Sequence, residues 1–237
     1  MQELSSLFTS RIFFIALTLL VFVVAQWLYG RTKFLLFNPV LISIAVLIAW
    51  LSLSGVSYET YMRGGEFISF FLAPAVVALA VPLYERLSDI KAQGKSILLA
   101  ILAGSAVGIL TAAGLAAGLG ASQTLVVTIA PKSATAPIAL AITEKLGGFS
   151  ALAAAFSVAT GVLGGAIGLP FLKLLRIQSR RAIGLAMGAA AHGIGTARAM
   201  EEGDIEGAFA GLALSLCGIF TALLTPLFIK IFLALSK

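Results

Sequence analysis

No Asp, Glu, Lys or Arg falls between Arg11 and Arg31, and charge-free windows of this kind recur along the whole chain. A helix needs about 20 apolar residues to cross the hydrocarbon of a bilayer, and a helix facing lipid is apolar all round, so such windows mark spans better than amphipathic periodicity does. A chain of 237 residues that is 60% hydrophobic and 11% charged, with a mean hydropathy of +1.07, cannot cover a soluble domain with polar surface. The expected fold class is an all-α membrane protein, a polytopic helical bundle in which residues 1–237 form a single transmembrane domain. The loops are too short to hold a soluble enzyme module.

Seven windows and one longer stretch define the bundle. Arg11 and Arg31 enclose the first, with no Ala-X-Ala-like cleavage site and polar mature region after it, which predicts an uncleaved anchor. Lys33 and Glu59 enclose the second. Glu66 and Glu85 enclose the third, where Pro74 and Pro82 predict a kinked or locally unwound helix. Residues 96–131 are too long for one crossing and divide into a span at about 96–119 and a half-length run at 124–130. A second half-length run, 138–143, follows Pro137. A Gly/Ala-rich span at 146–172 comes next, its small residues suited to close helix packing. The window between Arg181 and Arg198 is interrupted at His192-Gly193-Ile194-Gly195-Thr196, and Glu206 and Lys230 enclose the last span.

Basic residues concentrate in short cytoplasmic loops, and here they form four clusters: Arg31 and Lys33; Arg86, Lys91 and Lys95; Lys173, Arg176, Arg180 and Arg181; Lys230 and Lys237. Placing all four inside, and the neutral to acidic connections at 55–66 and 201–206 outside, requires residues 122–145 to enter and leave on one face. The expectation is about seven spans plus one re-entrant hairpin with residues 132–137 at its tip, and two interrupted helices. A faint internal echo, Ala73-Pro74, Ala78-Leu79-Ala80 and Glu85-Arg86-Leu87 against Ala136-Pro137, Ala139-Leu140-Ala141 and Glu144-Lys145-Leu146, would suit a transporter built from inverted repeats, although low-complexity apolar sequence produces such echoes by chance as often as by descent.

The hairpin tip carries the chemistry. Irregular backbone and a lysine at hydrocarbon depth persist only when buried in protein or lining a wet cavity, which places Lys132 in a site between Pro131 and Pro137. Ser133 or Thr135 can cap the second half-helix, and Pro137 suits its first turn. An ammonium beside a helix N-terminus favours a small anion, above all a carboxylate. The second break offers His192, with an ordinary pKa of about 6.5 that suits proton coupling, Gly193 and Gly195 for close backbone approach, then Thr196, and Arg198 as a bidentate carboxylate ligand. A hydrogen-bonded packing role for His192, and a salt bridge from Arg198 to Glu201 and Glu202, compete with these readings. Asn38, Glu85 and Glu144 complete the candidates. The lone cysteine, Cys217, reads as a packing residue, and no metal or cofactor site is expected. No His-Glu-X-X-His, intramembrane Asp pair, Walker loop or dinucleotide fingerprint is present, and adjacent Lys132 and Ser133 point in different directions, so an enzyme is not expected. With the cations flanking apolar runs, nucleic acid is not an expected partner either.

Three stretches, 71–84, 131–139 and 192–199, resemble the LrgB/CidB family of bacterial membrane proteins, related to the membrane half of the plastidic glycolate/glycerate transporter. The likeness covers essentially the whole chain, with Ala73 and Thr135-Ala136 standing where the family often has Gly and Thr-Thr. The resemblance implies a multi-pass protein of the bacterial inner membrane with one of two functions: holin-like or antiholin-like control of murein hydrolase export and lysis, or transport of short carboxylates such as pyruvate, glycolate or glycerate. It also implies a small LrgA/CidA-type membrane partner, since the plant relative carries that part fused ahead of this region. The site reading favours alternating-access carboxylate transport with proton coupling. The Gly/Ala-rich spans leave room for tight contacts within the chain or in a homo-oligomer.

Overall fold

The computed structural model describes residues 10–32, 37–71, 74, 77–78 and 80–235. Every element among them is a helix, and the chain divides into two compact units between residues 79 and 80.

The first unit holds α1 (Arg11–Thr32), α2 (Pro39–Ser54) and α3 (Tyr58–Phe70). Its centre is Phe14, fully buried, with its ring edge-on to Trp50 of α2 and Tyr61 of α3. The Tyr61 hydroxyl lies 2.9 Å from Thr18 Oγ1, which donates to Phe14 O. Asn38 begins α2: its Oδ1 accepts from Val40 N at 3.0 Å and Leu41 N at 3.3 Å, meeting two amides that no helical carbonyl reaches. At the third charge-free window, where a kinked or locally unwound helix is expected, α3 starts before the window, at Tyr58, and ends at Phe70. Of the stretch around the expected break, only residues 74, 77 and 78 are described. They are helical, with Pro74 exposed.

The second unit begins with α4 (Ala80–Glu85) and α5 (Leu87–Ala92), followed by α6 (Gly94–Gly118). Pro82 lies within α4, and its side chain is outside the described residues. Two short helices come next, α7 (Gln123–Ile129) and α8 (Ala136–Lys145), joined by a turn over 130–135. The long α9 (Ser150–Leu174), α10 (Arg180–Glu202) and α11 (Asp204–Leu235) complete it. The helices α1, α6, α9 and α11 are long and apolar enough to cross a membrane. Their outward faces stay apolar, as at Leu163, Ile167 and Phe171 of α9 and Ile219, Leu223 and Leu227 of α11.

Contacts fix which ends of the second unit lie together. Arg181 donates to Asp89 at 2.9 Å, Arg180 binds Glu206 through Nε at 2.7 Å and Nη2 at 2.9 Å, and Lys173 lies 3.9 Å from Glu202. The starts of α6 and α11, the end of α9 and both termini of α10 therefore share one basic end. At the opposite end, Ile109 and Ala113 of α6 pack with Val126 and Val127 of α7, Leu146 and Ile229. There Phe149 N donates to Thr128 Oγ1 at 2.9 Å, holding the start of α9 against α7. The α7–α8 pair thus enters and leaves at one end, as the charge pattern predicts.

The window between Arg181 and Arg198 behaves differently from its expected role as a broken crossing. His192 adopts φ 39°, ψ −128°, and the chain reverses there. The halves 180–191 and 193–202 lie side by side: Gly195 abuts Met187 O and Ala191, and Gly188 abuts Ala210 O, the same carbonyl that Thr196 Oγ1 approaches at 3.4 Å. A side chain at either glycine would collide with backbone. Half-helices of 12 and 10 residues reach only about 18 and 15 Å, well short of about 30 Å of hydrocarbon. The reversal at His192 also redistributes charge between the two ends. The acidic connection at 201–206 joins the basic end instead of opposing it, and Lys230, near the far end of α11, lies away from the other basic clusters of this unit.

Candidate functional site

The two hairpins approach from opposite ends of α9 and their tips meet beside its middle. Along α9, Phe149 touches α7, Ser157 touches the first tip, and Gly161 touches the His192 ring. Farther on, Gly164 meets Ala191 and Gly168 meets Met187. A row of small α9 residues lets the second hairpin lie this close.

Ser157, fully buried, joins the two tips. Its Oγ donates to Ala134 O at 2.6 Å and lies 3.4 Å from His192 Nε2, while Ser157 O is 2.8 Å from the same nitrogen. A carbonyl only accepts, so His192 carries its proton on Nε2 and donates it to Ser157 O. His192 is thus hydrogen-bonded to α9, and the residue also forms the reversal of the second hairpin. Thr196 Oγ1 donates back to His192 O at 2.8 Å. Gly195 is taken up by packing within the hairpin, whereas Gly193 is exposed, with nothing within 4 Å of where a Cβ would stand.

On the other side of the first tip, Cys217 of α11 does more than fill space. Its thiol lies 3.4 Å from Ala189 O and 3.9 Å from Ser133 O and accepts from Ser105 Oγ of α6 at 3.4 Å. Carbonyls that the breaks expose are therefore met by Ser157, Thr196 and Cys217. Sequence reasoning had no signal for Ser157 or Ser105: each is a single hydroxyl in a Gly/Ala-rich helix.

The amide side is left differently. Thr135 occupies the N-cap of α8 with φ −64° and ψ 153°, yet its side chain makes no capping bond, and Pro137 sits in the first turn as expected. Lys132 Nζ donates to Ser133 Oγ at 3.4 Å, and among the described residues no carboxylate pairs with it. A helix N-terminus without a side-chain cap and an ammonium with no carboxylate partner among the described residues give a tip that prefers an anion.

Lys132 and Ser133 head a cavity of about 510 Å³. Its walls are one face of α6, with Ala100, Gly104 and Gly108, and one face of α10, with Ala182, Ala186 and Ala190. Ser133 Oγ packs against Gly108 near the middle of α6. Pro131, behind the lysine, is fully buried.

Of the predicted site residues, Lys132 and Ser133 line this cavity; Thr135, His192, Gly193, Gly195 and Thr196 belong to the two breaks beside it, and Arg198 and Asn38 stand apart. Arg198 donates to Glu201 at 2.8 Å and Glu202 at 2.9 Å, so its guanidinium is held by two carboxylates of its own helix end. Asn38 caps α2 in the first unit. Glu85 and Glu144 lie at or near the ends of α4 and α8. Among the described residues no group of His, Cys, Asp and Glu side chains is arranged to hold a metal ion.

The LrgB-like family model matches residues 18–231. The antiholin-like protein LrgB of Bacillus subtilis strain 168 is 34% identical over 220 residues, covering 92% of this chain and 95% of that protein. The antiholin-like protein LrgB of Bacillus cereus strain B4264 is 34% identical over 217 residues, covering 91% and 94%. An uncharacterized protein of Haemophilus influenzae is 36% identical over 215 residues, covering 91% and 93%. No solved structure matches. The family model and these near full-length likenesses agree, and the chain belongs to the LrgB-like family.

Proposed function

We propose that the chain is a bacterial inner-membrane carrier for small monocarboxylates or hydroxycarboxylates, working by alternating access with proton coupling through His192. The observation that carries this reading is Lys132, with no carboxylate partner among the described residues, at a broken-helix tip that opens on a cavity of about 510 Å³. A binding site near mid-membrane where interrupted helices meet is the arrangement that carriers use. In the second unit we read α6, α9 and α11 as crossings, with the hairpins 123–145 and 180–202 entering from opposite faces as an inverted pair. Lys91, Lys95, Lys173, Arg176, Arg180 and Arg181 then mark the cytoplasmic face. A separate small membrane protein of the LrgA/CidA type is the proposed partner.

A second reading, a holin-like or antiholin-like regulator of murein hydrolase export and lysis, is favoured by the names of the Bacillus relatives, which speak for it more directly than for transport. Proteoliposome flux separates the two. A carrier gives uptake that saturates with carboxylate concentration and distinguishes stereoisomers of a hydroxycarboxylate. A pore component gives unsaturable leakage of unrelated solutes, and that result would replace the carrier reading.

A further inference from the structure

The cavity below Lys132 is longer than a two- or three-carbon acid requires, and its walls differ from its head. Ala100, Gly104 and Gly108 lie four residues apart on α6, as do Ala182, Ala186 and Ala190 on α10, and both rows line the same space. Eight residues of helix rise about 12 Å, so the two rows flank a slot about that long. Polar side chains stand only at one end, where Ser133 Oγ meets Gly108 and Lys132 Nζ lies beside it. From there to Ala100 the lining is Ala, Gly, Leu, Ile and Val. Nothing lies within 4 Å of the Cβ position at Gly104, so this glycine leaves the slot open partway along its length.

We propose that this slot takes a monocarboxylate with an unbranched apolar tail, its carboxylate at Lys132 and Ser133 and its tail between the two rows, and that Gly104 and Ala186 set the longest tail accepted. The inference rests on the carboxylate reading of the same site and adds the tail. A single ammonium at one end and apolar walls at the other suit one negative charge. A second carboxylate would be buried among alanines with no hydrogen-bond partner, which costs far more than an alkyl chain gains. Small residues on both walls keep the slot free of side chains that a tail would have to displace.

The test uses the purified full-length protein in nanodiscs and a displacement assay with acetate, butyrate, hexanoate, octanoate and succinate. Expected affinity rises up to about fourfold per added methylene until the slot is filled, with succinate weaker than butyrate. Gly104→Leu shortens the accepted tail: octanoate weakens by roughly tenfold or more, as expected for several methylenes excluded, while acetate binding persists and reports an intact fold. Ala186→Leu, from the facing wall, gives the same pattern and serves if the glycine variant does not fold. A Lys132-dependent affinity that is flat across the series, or succinate bound as tightly as butyrate, overturns the tail and leaves the carboxylate site standing. Binding of no carboxylate, or binding unchanged in Lys132→Gln, overturns the site and the tail together.

Discussion

His192 Nε2 lies 2.8 Å from the carbonyl oxygen of Ser157, joining the reversal of one hairpin to the helix that also holds the tip of the other. The bond joins residues 35 apart in the chain, and a second bond from the same serine holds Ala134 of the other break. Ser157 thus gives the interrupted helices a common anchor on α9.

Removing that anchor has a measurable cost. Ser157→Ala leaves the carbonyl of Ala134, a buried residue, without its donor, a loss of about 1–3 kcal/mol for an unsatisfied buried group. Thermal unfolding in detergent should show a lowered midpoint. An unchanged midpoint would mean that the first tip is held by something other than Ser157.

His192 holds a backbone conformation that a non-glycine residue adopts at a cost of about 1–3 kcal/mol. His192→Ala keeps that cost and loses the bond to Ser157, whereas His192→Gly loses the bond but relieves the backbone. The expected order of unfolding midpoints is wild type, then His192→Gly, then His192→Ala. Equal midpoints for the two variants would remove the strain at residue 192.

Glycines of the second hairpin should separate sharply on substitution. At Gly188 a Cβ would run into the backbone of Ala210, which cannot turn aside, so Gly188→Ala should cost about 1–3 kcal/mol or more. Gly193→Ala meets nothing within 4 Å and should be tolerated. The comparison is made on the same unfolding assay, and equal losses at the two positions would contradict the folded-back arrangement.

The opposed hairpins also fix a pattern of access. Cysteines replacing Gln178 and Asp204 should label from one face of the membrane, and cysteines replacing Leu119 and Phe149 from the other, with buried Cys217 unlabelled. Labelling of Gln178→Cys and Asp204→Cys from opposite faces would restore a crossing between Arg180 and Glu202.

Much of this architecture can be read from the chain. Proline on both sides of Lys132 in an apolar stretch announces the first break, and the basic residues at 86–95 and 173–181 require it to return to its starting face. His192 and its flanking glycines announce the second break, but not its direction. A kinked crossing and a full reversal share the same composition, and only the backbone angles of His192 distinguish them. Arg198 illustrates a different limit. Its spacing from Glu201 and Glu202 permits an i,i+3 and i,i+4 pair on a helix end, and a cation near a motif looks the same in sequence whether its charge is free or taken. Ser157 was invisible because hydrophobic pattern carries no information about which lone hydroxyl a distant loop will need.

The most direct test of the central claim is the uptake of labelled monocarboxylate into proteoliposomes by wild type and by Lys132→Gln, with insertion of both proteins verified. Saturable uptake by wild type and none by Lys132→Gln is the predicted result. Uptake by Lys132→Gln equal to wild type would contradict a carboxylate site at the meeting point of the two hairpins.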